Sequence, residues 1–554
     1  MESTSKSTKT AVVIIGAGIS GLCTAIDMIR HNHSRDFIIV EKASEVGGTW
    51  NDNRYPGSCC DVASHLYSYS FEPNPLWTRD YPGQEEILAY LIHVAERWGL
   101  YQHIRFNTEV VEAQWDEESH RWHIITTSSP QRDAEPVLQH ILNADFLVSG
   151  VGQLNHPYFP PIAGLEMFQG KVMHSARWDC GYEFQNKKVA VIGNGATAAQ
   201  IIPEISKLAD SVSVYQRTPN WVIPRGDREI GKIAQWGYQN LPYVRMIYRA
   251  VIMSYREKFY DAAVNPKSWL HGVVRGMSLD LLNRQIPDNQ DLRKKLVPDY
   301  PPGCKRIIIS DDYFAALNKP HVTLETTTIH RVDETGISTE NGEHRVFDII
   351  VLATGFRATE FLHPIKVAGL GHRSLQDVWK KGPRAYLGIS VESMPNFGIL
   401  YGPNTNLGHN SIILMIETQS RYINALISAV LMARSRGEHL TILPKAETVE
   451  TYNEEIQDRL TRTTFADPRC SSWYKTSDGH ITNNWCGTVV EYQKRLSQVV
   501  WSDYTIFGTK SGAWIPNGTE RLGRVVEEIH LPRYLIITGI GALGVLFWFK
   551  KRSV

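Results

Sequence analysis

Three glycines, Gly16, Gly18 and Gly21, follow the apolar run AVVII, and a carboxylate, Glu41, stands twenty residues past the last of them. Residue types at that spacing suit the holding of a dinucleotide. Gly16 permits a tight turn, Gly18 lets the backbone approach a pyrophosphate, and Gly21 lets helix and strand pack closely. The helix that begins there offers free N–H groups to phosphate oxygens, and Glu41 can accept from a ribose diol. A second unit, VAVIGNGATAA, repeats the plan with Gly193, Gly195 and Ala198, its helix opening at Ala196 and Thr197. Its second strand runs into VYQRT, so Arg217 and Thr218 stand where the first unit carries Glu41. A guanidinium binds a 2′-phosphate in bidentate fashion and a carboxylate repels it. Two sites of unlike polarity predict a tightly held FAD in the first and a diffusible NADPH in the second.

Between the units lies ASEVGGTWNDNRYPGSCCDVASHLYSYSF. Gly47 and Gly48 would let the backbone pass under a flat ring system, Trp50, Tyr55, Tyr67 and Tyr69 supply aromatic walls, and Asp61 is the acid after a Pro-Gly turn. Composition alone would allow a loop that merely packs a core. The spacing GGxWxxxxYPGxxxD, however, resembles the flavin-site signature of Baeyer-Villiger monooxygenases. That resemblance implies cofactor contacts from Gly48, Thr49, Trp50, Asp52, Asp61, Val62 and Tyr67. FQGKVMHSARWD is similar to the same family's fingerprint through Phe168, Gly170, His174, Trp178 and Asp179. In the family this stretch is a hinge that responds to NADPH, and His174 is not the chemical base. Related enzymes that oxygenate amines and sulfides carry Tyr where this chain has Trp178. DIIVLATGF, residues 348–356, resembles the segment returning the chain to the FAD domain. The likeness spans about residues 11 to 520.

The resemblance implies that NADPH reduces FAD, O2 adds to the flavin, and the bound peroxide stays deprotonated long enough to attack a ketone. A fixed cation would hold it anionic and stabilise the oxyanion of the adduct. PPGCKRIIISDDYF is similar to the family segment that supplies it, which makes Arg306 the active-site cation, Asp61 its acidic neighbour, and Lys305 a helper of Arg217 at the 2′-phosphate. Arginine suits the role because it stays charged when desolvated. Ile307 departs from the family pattern, which often has Pro after this Arg. The adjacent Cys59 and Cys60 raise disulfide exchange as a rival, but a vicinal pair closes only a strained ring. Two nucleotide cradles would also suit an N- or S-oxygenating flavin enzyme, an NADPH oxidase or reductase, or a nucleotide sensor.

These residues need two nucleotide-binding domains to position them, and 554 residues are ample. The expected fold is α/β with two Rossmann-like domains, an FAD domain at 8–160 and 361–525 and an inserted NADPH domain at 161–360. A helical insertion is expected at about 226–300, with aromatics and bases interspersed and a membrane-facing surface as its competing reading. Lys plus Arg equals Asp plus Glu at 58 each, which argues against nucleic acid as a partner. Seven scattered cysteines without a CxxC pair suggest a reducing compartment, with neither a disulfide scaffold nor a metal site. His409, in PNTNLGHNS, stays unassigned, and Trp473, Tyr474 and Trp485 could shape a pocket or a core. Tyr534 to Phe549 is an apolar or small-residue run closed by Lys550, Lys551 and Arg552. It covers about 24 Å as a helix against a ~30 Å hydrocarbon core, so a tail anchor or interfacial helix at 531–550 is expected, with the catalytic domains in the cytosol and the endoplasmic reticulum as a candidate membrane. A lipophilic ketone and O2 are the expected substrates.

Overall fold

The computed structural model describes residues 7–128, 139–470, 472–476, 478–508 and 514–523. Strand Ser7–Ile15 is buried over its last six residues and lies between Phe37–Val40 and Gln139–Ser149, parallel to both. An unbroken apolar run is what a strand covered on both faces requires. Beyond Gln139–Ser149 the sheet turns antiparallel through Arg121–Ser128 and Thr108–Asp116, with Lys366–Ala368 at that edge and Ile104–Arg105 at the other. Phe397–Ile399 also joins Gln139–Ser149, in parallel. Segments before residue 150 and after residue 360 therefore share one sheet.

Helix Ile412–Ser435 rests on helix Ile19–His31, the helix of the first glycine turn. Ser420 Oγ donates to Asp27 Oδ2 at 2.7 Å, and Asn32 Nδ2 donates to the Asn424 carbonyl at 3.2 Å. The cradle is thus braced from behind by chain some 400 residues later.

The second sheet has five parallel strands in the order Val322–Glu325, Ser211–Tyr215, Lys188–Ile192, Ile349–Leu352 and Lys171–His174. Its central strand leads into the second glycine turn, and its edge strand carries the middle of the fingerprint. Between Tyr215 and Val322 come the helices Lys232–Asn240, Pro242–Val264, Leu270–Gln285 and Gln290–Leu296. Proline starts the long second helix, where its missing N–H costs nothing. Arg249, Met253, Arg256 and Tyr260 recur at helical spacing on one face, and all four hydrogen-bond to chain outside the insertion, Met253 Sδ as acceptor from Asn410.

Cys304 and Cys470 are disulfide-bonded, Cα atoms 6.0 Å apart, beside Trp221 and Tyr300, which corrects the reading of a chain without bridges. The partners are 166 residues apart, so their spacing carried no sign of the pairing. Among the described residues no helix is long and apolar enough to cross a membrane. The expected tail helix at 531–550 lies outside the described residues.

Candidate active site

A cavity of about 780 Å³ lies between the two glycine turns and is lined by both. Gly16 has φ +95°, a conformation that favours glycine, and a Cβ on Gly21 would stand 1.8 Å from the Gly16 carbonyl oxygen. A Cβ on Gly48 would come within 3.0 Å of the Gly18 Cα, so the two backbones touch where helix Ile19–His31 begins. Glu41, one residue past its strand, accepts the Ala17 N–H at 2.7 Å and the Ala43 N–H at 2.8 Å. Burial raises its pKa despite those two amides, which fix the carboxyl group in the cavity wall. Thr49, Trp50, Asp52, Asp61, Val62 and Tyr67 line the same space. Trp50 Nε1 donates to the Tyr67 hydroxyl at 3.1 Å, edge to face. Gly21 is buried under the turn and does not line the cavity.

Across the cavity, Gly193 has φ +111° and a Cβ on it would collide with the Ala353 carbonyl at 2.4 Å. A Cβ on Gly195 would meet nothing within 4 Å, so open space stands at the N-terminus of helix Ala196–Ile205. Gly195, Ala196 and Thr197 line the cavity while Ala198 is buried behind them. Arg217, Thr218 and Lys305 line its far end, and Lys305 Nζ donates to Thr218 Oγ1. Burial, followed by the charge of Arg217, pushes the Lys305 ammonium down to about 8. Two cations crowded together in a cavity wall, beside open space at a helix N-terminus, make a site that a phosphate would relieve. The residues present therefore fit two dinucleotides, FAD at the first turn and NADPH at the second.

Arg306 and Asp61, 245 residues apart, meet at the cavity wall with Nε donating to Oδ2 at 2.6 Å. Arg306 Nη1 donates to the Leu407 carbonyl at 3.2 Å, and Arg256 Nη2 to the Asp61 carbonyl at 3.0 Å. Burial would raise the Asp61 pKa, but the charge and hydrogen bond of Arg306 outweigh it and the carboxyl is held below its usual value. Burial acts against the guanidinium as well, and Asp61 overrides it, so Arg306 is held above its ordinary range. The pair stays doubly ionised at neutral pH.

The family description "FMO-like: Flavin-binding monooxygenase-like" matches residues 9–367. The chain is 49% identical over 542 residues to an FAD-binding monooxygenase, ktnD, of Aspergillus niger, covering 98% of this chain and 89% of that one. A Baeyer-Villiger monooxygenase of Pseudomonas aeruginosa is 41% identical over 504 residues, with 91% and 92% covered. The solved structure of an oxidized steroid monooxygenase bound to NADP superposes with a TM-score of 0.77 at 31% identity, covering 90% of this chain and all of that one. The chain belongs to the flavin-dependent Baeyer-Villiger monooxygenase family.

In this monooxygenase the fingerprint lies behind the cavity wall. His174 is buried at the end of its strand, and its Nδ1 accepts the Ala176 N–H at 3.1 Å. Burial lowers it to about 4, so it is neutral at working pH. Its ring meets Phe356, which does line the cavity, at 6.2 Å. Gly170 must be small, because a Cβ there would stand 2.6 Å from the Phe168 ring and from the Asp348 carbonyl. Trp178 stacks on Phe184 at 5.4 Å, and Asp179 pairs with Lys171 at 2.8 Å.

Several wall and support residues escaped sequence reasoning. Tyr401 lines the cavity with φ +55° and donates from its hydroxyl to Asn406 Oδ1 at 2.7 Å. Gln200, on the helix of the second turn, accepts at Oε1 from the hydroxyl of the expected wall residue Tyr55 at 2.9 Å, which joins the flavin-side loop to that helix. Glu257, from the insertion, accepts from Asn410 Nδ2 at 2.8 Å and lies 3.4 Å from Nε2 of buried His409. Burial would raise Glu257, but His409 and Asn410 hold it below its usual value. The clamp gives His409 a structural setting. Its one sequence signal was the polar run PNTNLGHNS before an apolar helix.

Proposed function

We propose that the chain is an FAD- and NADPH-dependent Baeyer-Villiger monooxygenase that inserts one oxygen atom of O2 beside a ketone to give an ester or lactone. FAD, reduced by NADPH, supplies the oxygen-transfer chemistry when bound, and this chain supplies the rest. Gly16, Gly18 and Glu41 hold the FAD, and Gly193, Gly195, Arg217 and Lys305 hold the NADPH. Arg306, oriented by Asp61, presents a permanent cation to the anionic oxygens of the reaction and excludes protonation there. The observation that carries this reading is the Arg306–Asp61 ion pair at the wall of a cavity shared by both cradles.

The substrate is a lipophilic ketone of steroid, terpenoid or polyketide type. The aromatic cavity wall and the likeness to a steroid monooxygenase support this. The chain divides into an FAD domain at 8–160 and 361–525 around an NADPH domain at 161–360. The apolar segment 531–550 anchors it to a membrane, with the catalytic domains facing the cytosol. The fingerprint around His174 and Trp178 couples NADPH binding to movement between the domains.

The test is turnover of the purified enzyme with NADPH under ¹⁸O2 and a panel of cyclic and steroid ketones. One ¹⁸O atom in an ester or lactone product is expected. Hydrogen peroxide equal to NADPH consumed with every ketone would make the protein an oxidase. Oxides of a tertiary amine or thioether, with ketones untouched, would make it a heteroatom oxygenase.

A further inference from the structure

The helical insertion has two faces of opposite character. Its inner face reaches the site through Arg256 and Glu257, which hydrogen-bond to Asp61 and Asn410 of the cavity wall. Its outer face is apolar: eleven of the twenty large hydrophobics exposed among the described residues fall within residues 233–277. Ile233 is 88% exposed, Trp269 77% and Tyr243 75%. Ile233 and Trp236 stand three apart on the first helix, Tyr243 and Ile247 four apart on the second, and Val273 and Met277 four apart on the third. Each pair shares a helical face, and the first helix packs on the second and the second on the third. Singly scattered apolar side chains are ordinary on a surface, whereas such a concentration marks a partner.

Charge indicates which partner. Lys232, Lys258, Lys267, Arg275 and Arg284 are exposed between residues 232 and 285, against Asp261 and Asp280 as the exposed acids there. Over the whole chain, by contrast, acids and bases balance at 58 each. Exposed Trp and Tyr among aliphatics, edged by cations, suit the headgroup boundary of an anionic bilayer. Among the described residues no helix is long and apolar enough to cross a membrane, so this face would lie on the surface. We propose that helices Lys232–Asn240, Pro242–Val264 and Leu270–Gln285 form a docking face for anionic phospholipid membrane. This requires neither the tail at 531–550 nor any catalytic assignment.

Hydrogen–deuterium exchange of the full-length holoenzyme, with and without phosphatidylcholine vesicles containing phosphatidylserine, tests it. Vesicles are expected to slow exchange across 232–277. Trp236→Glu with Trp269→Glu is expected to abolish that protection while flavin absorbance and NADPH oxidation persist. Lys267→Glu with Arg275→Glu is expected to weaken the protection by at least about tenfold in lipid concentration, since each cation near such a surface counts. Protection confined to residues beyond 523 would show that the tail alone binds and would overturn the proposal. Protection of 232–277 already present without vesicles, and unchanged by them, would mean that a second copy or the chain's own tail covers the face, and would overturn it too.

Discussion

At the scale of single residues, the chemistry rests on charges held where water would otherwise screen them. Arg306 is kept cationic by Asp61, so its removal should strike oxygen transfer and spare the hydride step. Arg306→Ala is expected to keep bound FAD and its reduction by NADPH, while ester or lactone formation falls about 10²- to 10³-fold. Peroxide release measured against NADPH use would check this, and full product formation would remove Arg306 from its role. Lys305 behaves differently because its ammonium sits at about 8. A 2′-phosphate prefers the charged form, so NADPH binding should weaken as pH rises through about 8, where the free enzyme loses that proton. KM for NADPH measured across that range, from mildly acidic to alkaline buffer, should therefore climb on the alkaline side. Lys305→Arg should flatten the climb, since arginine keeps its proton throughout. A KM independent of pH in the unmodified enzyme would contradict this.

At the scale of elements, each cradle is a strand, a turn and a helix with no room for a side chain at its tightest point. The Gly21 Cβ position is 1.8 Å from the Gly16 carbonyl oxygen, a backbone atom that cannot swing aside. Gly21→Ala should therefore push the helix from the strand and yield folded protein largely lacking FAD, read from the flavin absorbance of the purified chain. Flavin content equal to that of the unmodified enzyme would show that the turn can relax. The cradles are legible in the sequence, because a G-x-G-x-x-G turn encodes its geometry within about thirty consecutive residues. The clamp of Glu257 on His409 and Asn410 is not. Nothing in a helical run announces which distant loop its inner face will meet.

At the scale of the whole molecule, the cavity is closed by both ends of the chain. Gly16 and Glu41 come from one end, and Asn406, Leu407 and Trp473 from the other. A cofactor bound there ties the two together and should stabilise the fold by mass action. Stripping FAD is expected to lower Tm. Restoring it at about 100 times its Kd should return about 2.7 kcal/mol of stability, seen as a recovered transition in thermal denaturation. Identical melting of the stripped and loaded proteins would mean that flavin binding is not linked to folding.

The sequence by itself determined the local devices: two phosphate cradles, the acid in one and the base in the other, the GGxWxxxxYPGxxxD loop and the hinge fingerprint. Each is contiguous, so backbone sterics and helix termini express it whatever surrounds it. Only the tertiary structure decided what requires the chain to cross itself. It set Arg306 against Asp61, Lys305 against Thr218, Arg256 over the Asp61 carbonyl and Cys304 on Cys470. Such pairs are fixed by how strands are ordered and where an insertion folds back. Residues separated by up to 245 positions carry no mark of that meeting in their own neighbourhoods.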